Sequence, residues 1–114
     1  MKAELRRLHS PDADLTRGHL PDEPLFVQLM IGPEGGLGEE SFDVMVCTPR
    51  SRHQAIDPSD PDSEKYLLVV ERMDADVIAG HVRDYLRDLD GATWRDLALQ
   101  IGTLGRWEFE DYRP

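Results

Sequence analysis

Short runs of apolar residues, separated by loops rich in proline, glycine and aspartate, dominate the first half of the chain. Residues 25–31 (LFVQLMI) are almost continuously apolar, which is typical of a well-buried strand. In residues 41–48 (SFDVMVCT), the apolar side chains Phe42, Val44 and Val46 share one face and predict a second strand. Because the glycine-rich segment GPEGGLGEE joins the two runs, we expect a β-hairpin with a long connection.

Two further strands are predicted on either side of this hairpin. Residues 2–8 (KAELRRL) carry charges on both faces, which favours an edge strand over a central one. Residues 65–73 (KYLLVVERM) are rich in β-branched and aromatic residues and give the clearest strand pattern of the chain. The polar segments 10–24 and 50–64 are expected to be surface loops.

The spacing of apolar residues then changes to three and four. Residues 76–90 are predicted to be an amphipathic helix that begins at Asp74 or Asp76 and ends at Gly91. Thr93 can cap a second helix, which Gly105 would end. The buried stripe of that helix would be Trp94, Leu97, Ala98 and Ile101.

The final segment, GRWEFEDYRP, interleaves aromatic residues with carboxylates and is predicted to be a strand with an apolar and an acidic side. One side carries Trp107, Phe109 and Asp111, and the other carries Arg106, Glu108, Glu110 and Tyr112. We expect Trp107 and Phe109 to be core residues that hold this strand in the sheet.

These elements together predict an α+β fold. We expect a mainly antiparallel sheet of about five strands, with two helices packed on one face. A chain of 114 residues fits one domain, so residues 1–114 are taken as a single unit.

The charge balance narrows the classes of partner. The chain has 23 Asp and Glu against 13 Lys and Arg, a formal charge of -10 and a pI near 4.7. This excess argues against nucleic acid or an anionic membrane as partner, because phosphates are bound by Lys and Arg. It favours a partner with a basic surface. The beginning of the chain has no apolar run of signal-peptide length and no later run approaches a membrane span, so we expect a cytoplasmic protein.

The residues that could carry chemistry do not form a recognisable site. The glycine loop lacks the Lys and Ser or Thr of a phosphate-binding loop, and the acidic run DPSDPDSEK lacks the glycine and distal glutamate of a calcium loop. The four histidines show no ligand spacing, and the single cysteine, Cys47, is expected to be a small buried hydrophobe. We therefore predict no enzyme activity, no cofactor and no metal, although a small hydrolase stays open as an alternative.

An acidic surface with aromatic neighbours is the strongest functional signal. We expect it to bind a basic protein, because charge speeds encounter and aromatic side chains anchor complexes. The predicted contact residues are Glu39, Glu40, Asp43, Glu108, Glu110, Asp111 and Tyr112. Charged edge strands that merely prevent aggregation would give a similar pattern. One interpretation is an inhibitor that binds its basic partner stoichiometrically and occludes it. A regulatory or scaffold module for some other basic protein is the main alternative.

Three blocks of sequence resemble the immunity protein 8 family of bacterial polymorphic toxin systems: KAELRRLHSPDAD, QLMIGPEGGLGEESFDVMVCTP and LGRWEFEDYR. Within them, Gly36 to Asp43 and Trp107 to Tyr112 match the family's motif segments. The resemblance implies a small cytoplasmic α+β protein that binds a cognate toxin domain and protects the producing cell. The edge strand 2–8 also leaves a homodimer open.

Overall fold

A computed structural model of the chain describes residues 1–17 and 19–110. The strands are β1 (Ala3–His9), β2 (Leu25–Pro33), β3 (Glu40–Cys47), β4 (Leu67–Val69) and β5 (Arg106–Trp107). The helices are α1 (Arg52–Ala55), α2 (Ala75–Arg87) and α3 (Trp94–Ile101), and two single 3₁₀ turns lie at Leu15–Arg17 and Pro61–Glu64. None of the helices within these described ranges is long and apolar enough to cross a membrane.

All five strands form one sheet, and β3 is its centre. The order is β1-β2-β3-β4, with β1, β2 and β3 antiparallel to one another. Two short strands share the other edge of β3: β4 runs parallel to it and β5 antiparallel. The predicted α+β class, the hairpin of β2 and β3 and the edge position of β1 are thus confirmed. β1 carries a bulge between Leu5 and Arg7, and a homodimer through this edge stays a prediction.

Both long helices pack on one face of the sheet, as predicted. The sheet contributes Val27, Leu29, Ile31, Phe42, Val44 and Val46 to the core, and the helices contribute Ile78, Val82, Leu86, Leu97, Ala98 and Ile101. The opposite face, which we call the open face, carries Arg7, His9, Phe26, Gln28, Met30, Ser41, Asp43, Met45, Leu67 and Val69, together with Cys47, which is fully buried at one end of it. Strand alternation therefore divides the hairpin residues between a buried face and a half-exposed one.

The helices begin where their capping residues predict. The Asp74 carboxylate accepts hydrogen bonds from the backbone N–H groups of Asp76 and Val77, which selects Asp74 as the cap of α2. Thr93 caps α3 in the same way. The predicted helix ends are wrong, because α2 stops at Arg87 and α3 at Ile101.

Gly91 does not end α2, but it has a role in packing. Its N–H donates to the Met1 carbonyl at 3.2 Å, and a side chain there would lie 3.1 Å from Asp96 and Leu97. The residue therefore allows the start of α3 to approach the connecting segment closely.

Two predicted strands are much shorter in the structure. The strand predicted over 65–73 is limited to 67–69, because only that part meets β3 before the chain turns to α2. The final strand is limited to two residues, because the N–H of Glu110 donates to the Trp107 carbonyl and closes a turn. The loop predicted over 50–64 contains α1 and one 3₁₀ turn.

Candidate functional site

The connection between β2 and β3 positions Glu39 at the end of the sheet. Gly35 and Gly38 have positive φ angles of 73° and 89°, which glycine adopts without steric cost. Glu39 is exposed, and its Oε1 accepts hydrogen bonds from Nε and Nη2 of Arg7 at 3.1 and 2.9 Å. Arg7 thus links the loop to β1 and fixes the direction of an accessible carboxylate.

Glu40 is a half-buried carboxylate that joins three elements. Its Oε1 accepts a hydrogen bond from Trp94 Nε1 of α3 at 2.5 Å and another from Trp107 Nε1 of β5 at 3.2 Å. Both bonds are strengthened by the negative charge of the acceptor. This geometry gives Glu40 a role in holding β3, α3 and β5 together, and its contact with a partner stays a prediction.

Asp43 lies near the middle of the open face, directly across the strand pair from Gln28 and beside Arg106. Burial raises the pKa of the Asp43 carboxyl, and the hydrogen bond from Gln28 and the charge of Arg106 offset this only in part. Among the described residues, Oδ1 of Asp43 is buried and accepts no hydrogen bond. The contacts around Asp43 therefore do not fully offset the cost of burying its negative charge on this partly exposed surface.

Replacing Asp43 with asparagine is expected to stabilise the isolated protein at neutral pH. Because the folded-state pKa is raised, ionisation disfavours folding: the penalty is absent below the unfolded-state pKa and develops as the pH rises through the folded-state pKa. We expect a gain of at most about 1 kcal/mol at neutral pH, since solvent screens a half-buried group. Near pH 3, where both states are protonated, the gain should vanish.

Urea unfolding of the wild type and Asp43→Asn at both pH values measures this gain. A gain that does not depend on pH, or a loss at neutral pH, would show that the carboxylate is well compensated in the folded protein.

Glu108 and Glu110 both lie just after β5, and both are exposed. The Ser41 N–H donates to Glu108 Oε1 at 2.7 Å, and the Glu108 N–H donates to the Ser41 carbonyl at 3.1 Å. The Tyr66 hydroxyl donates to Glu110 Oε1, and Arg106 Nε lies 3.4 Å from Glu110 Oε2. Burial and the bond to Glu110 raise the pKa of Tyr66.

The aromatic residues around β5 divide into one packed and one exposed ring. Trp107 stacks on Phe42, with ring centroids 6.4 Å apart and planes 8° from parallel, which confirms its packing on the core. Phe109 meets Trp107 edge-on but is 41% exposed, so its prediction as a core residue is wrong. The turn after β5 directs it outward. The predicted contacts Asp111 and Tyr112 lie outside the described residues.

Pairing of β3 with β5 brings the two predicted acidic segments together. They do not form one flat patch. Glu39 lies at the hairpin end, Glu108 and Glu110 lie along the sheet edge, and Asp43 lies on the open face. The structure thus offers a curved acidic surface whose side chains are held by hydrogen bonds to neighbouring strands.

Sequence reasoning missed an apolar row on the open face. Phe26 lies directly opposite Met45, and Met45 is the register partner of Leu67. The continuous apolar pattern of residues 25–31 was the available signal, because a strand with one solvated face normally alternates with polar residues. The prediction of a well-buried strand is confirmed, because no residue of β2 is exposed: one side is largely buried and the other is partly buried.

One close pair of a histidine and a carboxylate lies in the described part of the chain. His81 Nε2 lies 2.7 Å from Glu71 Oε2 on the surface, and the bond from His81 lowers the pKa of Glu71. Across residues 1–17 and 19–110, no cluster of three His, Cys, Asp or Glu side chains could hold a metal ion. Cys47 is fully buried as predicted, and burial raises its pKa.

Almost the whole chain matches one family of known proteins. Residues 3–112 match the family model described as Immunity protein 8. The chain belongs to the immunity protein 8 family. Membership confirms the resemblance of the sequence blocks and makes this chain an immunity protein of a toxin system, which implies that it binds a cognate toxin. No curated protein and no solved structure matches the chain significantly. The immunity protein 8 match includes both acidic segments, and the surface described above is its candidate site.

Proposed function

We propose that the protein neutralises its cognate toxin by one-to-one binding, in the cytoplasm of the cell that produces both. Family membership over residues 3–112 is the observation that carries this proposal. The formal charge of -10 supports a toxin with a basic surface, since complementary charge speeds encounter and selects partners. A nuclease toxin fits this charge, because a nuclease needs basic side chains to hold phosphates.

The predicted contact surface suits rapid and specific binding. It comprises Glu39, Glu40, Asp43, Glu108 and Glu110, together with Asp111 and Tyr112. Hydrogen bonds within the fold already restrain Glu39, Glu108 and Glu110. A restrained side chain loses less conformational entropy on binding than a free one, so these carboxylates are prepared for contact.

Titration of the toxin distinguishes inhibition by binding from enzymatic detoxification. The probe is the C-terminal toxin domain encoded by the neighbouring gene, expressed with and without this protein and then purified with it. We expect restored growth, a stable one-to-one complex, and inhibition that is complete at one molar equivalent. Full protection by a small fraction of an equivalent, without a complex, would instead indicate turnover. No protection would remove the proposal.

Neutral replacements at the sheet edge test the role of charge. Glutamine keeps an oxygen that can accept from the Ser41 N–H and the Tyr66 hydroxyl, so Glu108→Gln with Glu110→Gln should preserve the local contacts. We expect the association rate with the toxin domain to fall about threefold or more at low salt, with a smaller change in dissociation.

The matched control is the pair Asp84→Asn and Asp88→Asn, which removes the same charge from the exposed side of α2. Stopped-flow association measured over a range of salt concentrations gives both rates. If the helix variants slow association as much as the edge variants, the association rate depends on total charge and not on the acidic edge.

A further inference from the structure

The open face of the sheet has a composition that its exposure does not explain. A solvated face of an antiparallel sheet normally presents polar side chains. Here Phe26, Met45 and Leu67 form an apolar row across three strands. All three are only partly buried, and the two long helices pack on the opposite face of the sheet. The short helix α1 contacts β3 near Cys47, at the end of this face. The composition of this row is that of an interface rather than that of a solvated surface.

Asp43 occupies the next row of the same face, between Gln28 and Arg106. Its Oδ1 is buried and accepts no hydrogen bond among the described residues. Gln28 and Arg106 already face the carboxylate and leave this atom unused. A buried, charged acceptor without a donor destabilises the isolated protein, and asparagine at this position would remove the charge. Such a group has a use where a partner supplies the missing donor.

Building on the proposed function, we infer that the toxin docks on the open face and places a lysine or arginine side chain against Asp43. The apolar row would then surround the ion pair and exclude water from it, as the rim of an interaction hot spot does. The charge of the whole chain selects the same kind of partner.

A second copy of this chain is a poor occupant of the face. A symmetric contact buries the same patch on both partners, so it would place both Asp43 carboxylates in one interface. Two chains with a formal charge of -10 would also repel one another. A basic partner would supply a donor to the Asp43 carboxylate and would be attracted by the negative charge of the chain.

The first test measures the affinity of Asp43→Asn for a catalytically inactive form of the neighbouring gene's toxin domain. Removing one member of a buried ion pair should raise the dissociation constant at least about 30-fold, mainly through faster dissociation. The thermal midpoint of the isolated variant should stay the same or rise. If Asp43 had only a structural role, its replacement would lower the midpoint. Weaker binding by a variant that is at least as stable as the wild type would therefore indicate that Asp43 contacts the toxin.

A second pair of variants tests the apolar row. Met45→Ser should weaken binding about tenfold or more by exposing the ion pair to water. Leu99→Ser is the matched control, because Leu99 is 54% exposed on α3, in the layer that faces away from the open face. It should leave the affinity unchanged within about twofold.

Charge exchange identifies the opposing residue. Asp43→Arg should abolish binding, and reversal of one toxin lysine or arginine to aspartate should restore it. Unaltered affinity of Asp43→Asn and Met45→Ser, with wild type still bound, would overturn the docking face and leave the proposed function intact. Failure of the wild type to bind would overturn both. A stable homodimer of the isolated protein that Met45→Ser dissociates would show that a second copy occupies the face.

Discussion

Replacing Phe42 with alanine is expected to lower the free energy of unfolding by about 3–5 kcal/mol. The side chain is 0% exposed and belongs to an aromatic cluster that joins three elements. Its ring meets Trp94 edge-on at 6.5 Å and stacks on Trp107 at 6.4 Å. Alanine would leave a cavity between β3, α3 and β5, and the rigid strands around it cannot collapse to fill it. Urea unfolding followed by tryptophan fluorescence measures the loss.

Phe26→Ala is the matched control for this prediction. Phe26 belongs to the same hairpin, but it lies on the open face and is only half-buried. We expect a loss of about 1 kcal/mol, because less apolar surface returns to water. Equal losses from the two variants would mean that both faces of the hairpin are covered in the isolated protein.

Glu40→Ala should lower the free energy of unfolding by about 2–3 kcal/mol, although it removes a charge from a strongly acidic protein. The carboxylate is the acceptor for both indole N–H groups, from Trp94 and Trp107. Its loss leaves two half-buried donors without this partner and frees β5 from α3. Glu40→Gln should lose less, because the amide oxygen can still accept from one or both indoles.

Glu39→Ala is the neighbouring control. Glu39 makes an exposed ion pair with Arg7, and exposed pairs contribute about 0–1 kcal/mol. Thermal unfolding of the three variants under identical conditions gives the comparison. A Glu40→Ala protein as stable as Glu39→Ala would indicate that water replaces the carboxylate without loss.

Local chemistry made part of the fold predictable. The hairpin of β2 and β3 follows from two apolar runs joined by glycines, and the starts of α2 and α3 follow from Asp74 and Thr93. These features depend on residues close in sequence, whose backbone needs are the same in most folds. The ends of the helices were less predictable, because close packing and not local capping decides the position of Gly91.

The partners of the acidic residues depend on contacts between distant segments. The sequence shows that Glu40 precedes a strand, but only the fold brings Trp94 and Trp107 to its carboxylate. The same holds for Ser41 and Glu108, which meet through the pairing of β3 with β5. The candidate site was therefore predictable as a set of acids and not as an arrangement.

The apolar run of residues 25–31 shows the limit of pattern reading most clearly. Two of its three even positions, Phe26 and Met30, are apolar like the odd ones, so periodicity cannot tell burial within the chain from burial against another chain. The structure divides the run between a core face and the open face. The side of the run that the sequence did not assign to the core or to a partner is the side on which the docking inference rests.

The pairing of β5 with β3 also has a consequence for synthesis in the cell. One edge of β3 at Phe42 and Asp43 stays unpaired until residues 106 and 107 leave the ribosome, roughly 3–12 s after β3 itself. During that interval the nascent chain exposes strand backbone and the Phe42 ring, both of which favour aggregation. The carboxylates of Glu39, Glu40 and Asp43 flank this edge and would keep nascent chains on one polysome apart.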